Sequence, residues 1–385
     1  MRDVVIIGVG MTRFGKHLER SLQDLGTEAT WNAVDDAGIP PKDIPIAYVA
    51  CSVGYQLVEI KGTIGEHVLG AAGFFGIPII NVENACSSGS TALRGACLEV
   101  ASGNYDVALA LGVEKLFCND TAKSAAAMAS GTPYAKYGFM FPALYSMELR
   151  NWMEKYSITQ RHFAKVTVKN SKNGSLNPLA QFRKPLSMDE ILNARVIAGP
   201  LTLYMCSTMG DGAAAVIVCT REKARQYTTK PLIQVAACEL VSGTVYYPGQ
   251  PHEHIEIHAS RLAYNKAGIG PEDVDVAEVH DGMAPAELMI YEKLGFCKEG
   301  ESAKWIDEGK TEITGQLPVN PSGGLTAKGH PVAATGLAQI TEITWQLRGE
   351  AGPRQVENPK IGLTENAGGF ILDDNAACAV TILKK

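Results

Sequence analysis

The segment ATWNAVDDAGIPPKDIPIAYVACS, residues 29–52, returns in altered form as ASRLAYNKAGIGPEDVDVAEVHDG, residues 259–282. At a constant spacing of 230 residues, Ala37-Gly38-Ile39 falls on Ala267-Gly268-Ile269, Pro41 on Pro271, Asp43 on Asp273 and Val49 on Val279. Each copy reads as a helix stopped by glycine, a turn opened by proline, and an apolar strand. A fainter echo follows. GSTALRGACLEVASG (89–103) and TGLAQITEITWQLRG (335–349) both look like helices ending in glycine, and each leads to a strand, YDVALALGV in one half and KIGLTENAGG in the other. Repetition on this scale predicts two similar α/β halves related by a pseudo-two-fold. Their strands should be buried on both faces beneath helices.

Working outward, the repeat places a first half in residues 1–117 plus 206–230 and a second half in 231–385. Residues 118–205 interrupt the first half. This insertion is rich in Met, Tyr, Lys and Asn, with helical stretches YSMELRNWMEKY and HFAKVTVKNSK and loop-like SGTPYAKYGF and SLNPLAQFRKPLS. A long insertion in a repeated core is expected to carry specificity. At the start of the chain, Gly8-Val9-Gly10 follows a strand, but the third glycine of a dinucleotide-binding turn would be residue 13, which is Arg13. The motif is incomplete, and it argues weakly for a nucleotide.

Composition narrows the class. The 385 residues are 46% hydrophobic and 20% charged, the balance of a folded α/β protein and not of a disordered chain. With a net charge of −6, nothing in the chain resembles the basic stripe that a nucleic-acid backbone requires, and nucleic acid is not an expected partner. Nine cysteines, none in a C-x-x-C pair, fit free thiols in a reducing, cytoplasmic compartment. The opening MRDVVIIGVGM reads as a buried strand and not as a signal peptide. No stretch approaches the ~18 uninterrupted apolar residues of a membrane span. PHEHIEIHAS gives His252, His254 and His258 a spacing that hints at metal, but no acid or cysteine is obviously paired with them. A turn or pocket rim is the expectation, with no metal site.

Chemistry gathers in three motifs. In NVENACSSGSTALRGA, Cys86 stands where a strand meets a helix of small residues, so its thiolate should be stabilised by the helix N-terminus. A buried structural cysteine is the alternative. In NPSGGLTAKGHPVAATG, His330 projects from a glycine-rich loop before Pro331, as a base for a nearby thiol would. His280 in EVHDGM ends the repeated strand, where it is either structural or a donor to an enolate oxygen. TENAGGF (364–370) follows a strand, and its Gly368 and Gly369 expose backbone N–H groups to an oxyanion, or form a plain turn.

Together, ACSSGSTAL (85–93), KNSKNGSLNPLAQFRKP (169–185), DGAAAVI (211–217), EVHDG (278–282) and GGLTAKGHPVAATG (323–336) resemble the thiolase superfamily along nearly the whole chain. The branch they resemble is that of the sterol-carrier-protein-type and archaeal-type thiolases. The resemblance implies a five-layer αβαβα sandwich with the insertion as a loop domain. It implies Cys86 as acyl acceptor, His330 as its base and His280 in a first oxyanion hole, with the N–H groups of Cys86 and Gly368 as a second. Coenzyme A is then a co-substrate and no cofactor is tightly bound. Lys169, Lys172, Arg183 and Lys184 offer cations for its phosphates, or form a solvated basic loop; Ser207 joins the coenzyme A-binding set. The same likeness implies a homodimer or tetramer, with residues 81–84 at the seam, and leaves room for a small zinc-ribbon/OB-fold companion subunit.

One feature departs from the family. Its second cysteine, which moves the proton on the α-carbon, lies at either of two places, occupied here by Asn366 and Gly282. Neither transfers a proton as a thiolate does. Simple acetoacetyl-CoA condensation is therefore not expected. The expectation is cleavage of an unusual β-ketoacyl-CoA, branched or aromatic, with Phe117, Tyr134, Tyr137, Phe139, Phe141 and Tyr145 lining its pocket or packing in a core. A substrate such as benzoylsuccinyl-CoA would suit. A decarboxylating Cys-His-His condensing enzyme, an acyl-CoA aldolase and a non-catalytic CoA-binding subunit are the alternatives.

Overall fold

Both copies of the repeat fold alike. Helix Leu22–Ala37 ends at Gly38 (φ 66°) and helix Ile255–Ala267 at Gly268 (φ 65°), the left-handed stop that glycine adopts freely. Each is followed by a 3₁₀ turn opened by proline, Pro41–Asp43 or Pro271–Asp273, and then by a strand, Ala47–Ala50 or Val276–Glu278. The computed structural model describes residues 2–118, 120–129, 135–138, 140–245, 253–371 and 374–385.

The strands are β1 (Val4–Met11), β2 (Ala47–Ala50), β3 (Ile79–Val82), β4 (Val107–Glu114), β5 (Val196–Ala198), β6 (Leu201–Thr202), β7 (Gly212–Thr220), β8 (Ile233–Ser242), β9 (Val276–Glu278), β10 (Ile361–Ile371) and β11 (Asp374–Lys384). Nine of them join in the order β3-β2-β4-β7-β1-β8-β11-β10-β9, while β5 and β6 pair separately in the insertion. The two halves meet where β1 pairs antiparallel with β8, through Val5–Gln234 and Ile6–Ile233 only.

Side-chain alternation shows the layers. On the first half, Val5, Ile7, Leu109, Leu111 and Ile217 pack outward against Leu25, Ala29 and Ala33 of helix Leu22–Ala37 and Val68 of helix Ile64–Ala71. Their neighbours Val4, Ile6, Ala108, Ala110 and Val216 face inward, onto Ala92, Leu93 and Ala96 of helix Ser88–Ser102 and Leu337 and Ile340 of helix Thr335–Arg348. Val276 and Leu383 of the second half join that same inner core. The opposite face of the second half, with Ala237, Leu363, Val380 and Ile382, packs on helices Ile255–Ala267 and Ala284–Lys293. The result is the expected αβαβα sandwich, its central layer built from one helix of each half. Each fully buried aliphatic side chain contributes about 1.5–3 kcal/mol relative to exposure.

Two local readings change. Gly8 and Gly10 serve packing: a Cβ on Gly8 would lie 2.2 Å from the Ala33 carbonyl oxygen, and one on Gly10 2.4 Å from the Ala33 nitrogen. TENAGGF is not a turn after a strand. It lies within β10, paired in register with β11 from Ile361–Lys384 to Ile371–Asp374. Between β4 and β7 the insertion contains helices Thr121–Ala129, Phe141–Tyr156 and Gln160–Leu176.

Candidate active site

Cys86 sits on a sharp elbow between β3 and helix Ser88–Ser102. Ala85 before it is in the left-handed region (φ 49°), a conformation uncommon for a residue with a Cβ. The elbow is held by internal bonds: Ser87 N–H to Asn84 O at 2.9 Å, and Ser88 Oγ to Ala85 O at 2.6 Å. From across the central layer, β10 presses its backbone against this loop. A Cβ on Gly368 would come within 2.6 Å of Ser87 N and 2.7 Å of Asn84 O and Cys86 N, so the close approach requires glycine there.

His330 reaches Cys86 from the second half, with Nε2 3.4 Å from Sγ. Its other nitrogen, Nδ1, is 2.7 Å from Thr335 Oγ1. That hydroxyl donates its single hydrogen to Pro331 O at 3.0 Å, so it accepts from Nδ1–H. The tautomer this sets leaves the Nε2 lone pair facing the thiol. The helix beyond begins at Thr335, after a 3₁₀ turn over Val332–Ala334, so Pro331 lies before the helix and not at its first position.

His280 lies beside His330, ring centroids 5.3 Å apart and edge to face. It is 7% exposed and, among the described residues, its Nε2 has no partner. Ligand-type atoms of Cys86, His280 and His330 all lie within 4.8 Å of one another. A buried polar nitrogen left open at such a point is costly unless something else fills it. Carboxylates tie the two histidine segments together. Glu278 accepts from Ser322 N–H, Ser322 Oγ and Lys328 Nζ (3.0 Å), and Asp281 accepts from Leu325 N–H and Thr326 Oγ1. The acidic residues on either side of His280 thus clamp the glycine-rich loop that carries His330.

Electrostatics set the resting state. Burial, reinforced by the charge of Glu114, pushes the Cys86 thiol up to about 12, even though the N–H groups of Gly369 and Cys86 oppose this. The expectation of a standing thiolate at the helix start is therefore corrected: desolvation outweighs the helix end. Burial lowers His280 to about 4 and holds His330 well below its usual range, aided there by His280 and Lys328. A neutral thiol faces a neutral imidazole. Glu114, unremarked in sequence, ends the all-apolar β4. It accepts N–H bonds from Ser52, Gly54 and Ala333, and burial raises it to about 7.

Other expected residues separate. The Gly369 N–H joins that of Cys86 in favouring the thiolate, and the neighbouring Gly368 packs directly against the Cys86 backbone nitrogen. Asn366 is buried against the central layer, where its Oδ1 accepts from Ser90 Oγ at 3.2 Å and its Nδ2 has no partner among the described residues. Lys169 is buried, 2.5 Å from Glu287 and 2.6 Å from Val319 O, so it is a structural cation and not a phosphate ligand. Lys172 lies on the surface near Glu312, and Arg183 is exposed. Lys184 and Ser207 line a cavity of about 600 Å³ with Phe182, Leu203, Tyr204 and Met209. Met209 forms a backbone bridge to His330 and, like Cys86, packs on the small cluster of Val53, Leu116 and Val332. The cavity has a lysine at its rim and Met209, the backbone neighbour of His330, in its wall, and it is within the size range of ligand sites.

The aromatic set divides. Phe141 and Tyr145 meet Phe370 at 5.7 and 5.9 Å, whereas Tyr137 is exposed and Phe117 lies under Lys16. Tyr134, Phe139 and His252 lie outside the described residues. His254 lines the cleft beyond His280, while His258 bonds Glu253 and Arg261 on the surface. The two described histidines of the series, His254 and His258, do not converge. Among the described residues no helix is long and apolar enough to cross a membrane.

This fold and this Cys-His-His site are those of a thiolase-type acyltransferase. Residues 4–222 match the thiolase N-terminal domain and residues 255–384 the thiolase C-terminal domain-like family, and the chain belongs to the thiolase family. Over 96% of its length it is 42% identical to an acetyl-CoA acetyltransferase of Methanothermobacter thermautotrophicus, covering 97% of that protein. It is 36% identical to the benzoylsuccinyl-CoA thiolase subunit BbsB of Thauera aromatica, over 96% of this chain and 95% of that one. Sterol carrier protein 2 of Bos taurus is 38% identical over 95% of this chain, which spans 70% of that protein. Among solved structures, an Ltp2-ChsH2(DUF35) aldolase is similar with a TM-score of 0.81 and 25% identity, covering 98% of this chain and 97% of that one.

Proposed function

We propose that this enzyme cleaves a β-ketoacyl-CoA with free coenzyme A through an acyl-Cys86 intermediate. The observation that carries the reading is the Cys86 Sγ–His330 Nε2 approach of 3.4 Å, with the histidine held in the accepting tautomer by Thr335. His330 takes the thiol proton as Cys86 attacks the ketone carbon. The oxyanion forms against the N–H groups of Cys86 and Gly369, and the carbon–carbon bond breaks. His280 Nε2–H meets the oxygen of the departing enolate. Coenzyme A then enters through the cavity rimmed by Lys184 and lined by Ser207, and accepts the acyl group.

The substrate is one whose leaving fragment is stabilised by its own substituent, for example a carboxylate. Support comes from Gly282 and Asn366 at the two second-cysteine positions, and from Phe141, Tyr145 and Phe370, which offer aromatic walls near His280. The likeness to a benzoylsuccinyl-CoA thiolase subunit agrees with this degradative reading. The enzyme works in the cytoplasm as a homodimer or tetramer. Strand β3, which leads to Cys86, ends the nine-stranded order with an edge unpaired among the described residues, a natural seam. A companion subunit with a zinc ribbon and OB-fold fits the two-component name of the aldolase and the subunit designation of the thiolase relative.

Thiolysis rates on acetoacetyl-CoA and on carboxylated or aromatic β-ketoacyl-CoAs test this directly. Faster cleavage of the substituted compounds is expected; equal or faster cleavage of acetoacetyl-CoA contradicts the substrate reading. The convergence of Cys86, His280 and His330 favours a second reading, decarboxylating condensation, which a strict requirement for a malonyl thioester would establish.

A further inference from the structure

The position of the missing thiol is occupied in space. A Cβ built on Gly282 would lie 3.7 Å from the Tyr145 hydroxyl oxygen and 3.1 Å from His280 Cε1. A cysteine sulfur, one bond further out, would meet the phenol oxygen in the side-chain rotamer directed at it. Tyr145 comes from the insertion helix Phe141–Tyr156 and is steered by Phe370, edge to face at 5.9 Å. It lines one cleft with His280, Ala367 and Phe370. Phe370 directly follows Gly369, whose N–H faces the sulfur.

We infer that Tyr145 is the acid/base that moves the proton on the substrate α-carbon, in place of the family's second cysteine. This rests on the acyl-transfer reading and adds to it the group that reading lacks. The proton balance closes. His330 takes the Cys86 proton, and breaking the carbon–carbon bond leaves an enolate whose oxygen is held by His280. Tyr145 O–H gives its proton to the α-carbon. The tyrosinate takes the proton of the incoming coenzyme A thiol, whose sulfur attacks the acyl-Cys86 thioester. The released Cys86 thiolate regains its proton from His330. Burial first, then the nearby carboxyl of Glu148, hold the phenol well above its usual range. Tyr145 therefore rests protonated, ready to donate in the cleavage direction, and its conjugate base is strong enough to deprotonate a thiol.

Two exchange reactions separate this role from a structural one. Exchange of labelled coenzyme A into acetyl-CoA needs only Cys86 and His330, because the departing thiolate takes back the proton that His330 received. Deuterium uptake from D₂O into the acetyl-CoA methyl group needs the α-carbon base as well. Tyr145→Phe is expected to lose deuterium uptake by ~10²-fold or more, while label exchange is retained. Adding Gly282→Cys to Tyr145→Phe should restore uptake, since the sulfur enters the space the hydroxyl leaves. Deuterium uptake at the wild-type rate in Tyr145→Phe overturns the inference. So does parallel loss of both reactions, or a wild type that exchanges label but takes up no deuterium. Absence of label exchange in the wild type would instead overturn the acyl-transfer reading itself.

Discussion

Thr335→Val isolates the part of the site that makes His330 a base. Valine keeps the β-branched shape and removes only the oxygen that accepts from His330 Nδ1–H at 2.7 Å. A buried donor left without its partner costs about 1–3 kcal/mol. The ring escapes that cost by moving its proton to Nε2, which then points N–H at Cys86 Sγ and no longer accepts. Either route raises the barrier to thiol deprotonation, and at about 1.36 kcal/mol per tenfold in rate the cost is about 5- to 150-fold in acylation. Single-turnover release of free coenzyme A from acetyl-CoA, followed by a thiol-reactive dye on quenched samples, measures that step. Thr335→Ser supplies the control, because its hydroxyl still donates to Pro331 O and accepts from the ring. A wild-type rate in Thr335→Val, or an equal loss in Thr335→Ser and Thr335→Val, would refute the tautomer argument.

Lys184→Glu should raise the coenzyme A KM more than it lowers kcat, because Lys184 stands at the rim of the cavity and far from bond making; an unchanged KM would place the phosphates elsewhere. Glu278→Gln breaks a buried ion pair with Lys328 and should cost about 3–5 kcal/mol in denaturant unfolding; a loss under about 1 kcal/mol would mean that the clamp on the His330 loop is weak. Alkylation of Cys86 by iodoacetamide should keep rising between pH 7 and pH 10, since its thiol is pushed up to about 12 and only the deprotonated form reacts. A plateau below pH 8.5 would show a low-pKa thiolate.

Much of the fold was legible because the repeat carries its own punctuation. Gly38 and Gly268 stop equivalent helices, Pro41 and Pro271 open equivalent turns, and the apolar strands that follow have to be covered on both faces. The two central helices were legible for the same reason, from Gly103 and Gly349 at their ends. The site was legible where a local motif exposes one side chain, as at Cys86 and His330. It was not legible where long-range packing decides. Lys169 belongs to a basic stretch, yet its helix turns it inward onto Glu287, which nothing near it in the chain announces. Which of two adjacent glycines aims its N–H at the sulfur depends on how β10 docks on the Cys86 elbow. The thiol's resting state depends on burial and on Glu114, contributed by a different strand. Tyr145 read as one aromatic among six; only the assembled cleft places its hydroxyl where residue 282 would otherwise carry a thiol.

In the proposed reaction the acyl group travels on Cys86. Intact-protein mass spectrometry after brief incubation with a panel of β-ketoacyl-CoAs, followed by peptide mapping, tests it most directly. The expected result is a mass increase equal to one acyl group, located on the peptide containing Cys86, reversed by added coenzyme A and absent in Cys86→Ala. Cleavage of the same substrate by Cys86→Ala at the wild-type rate, or an acyl group carried on another residue, would contradict it.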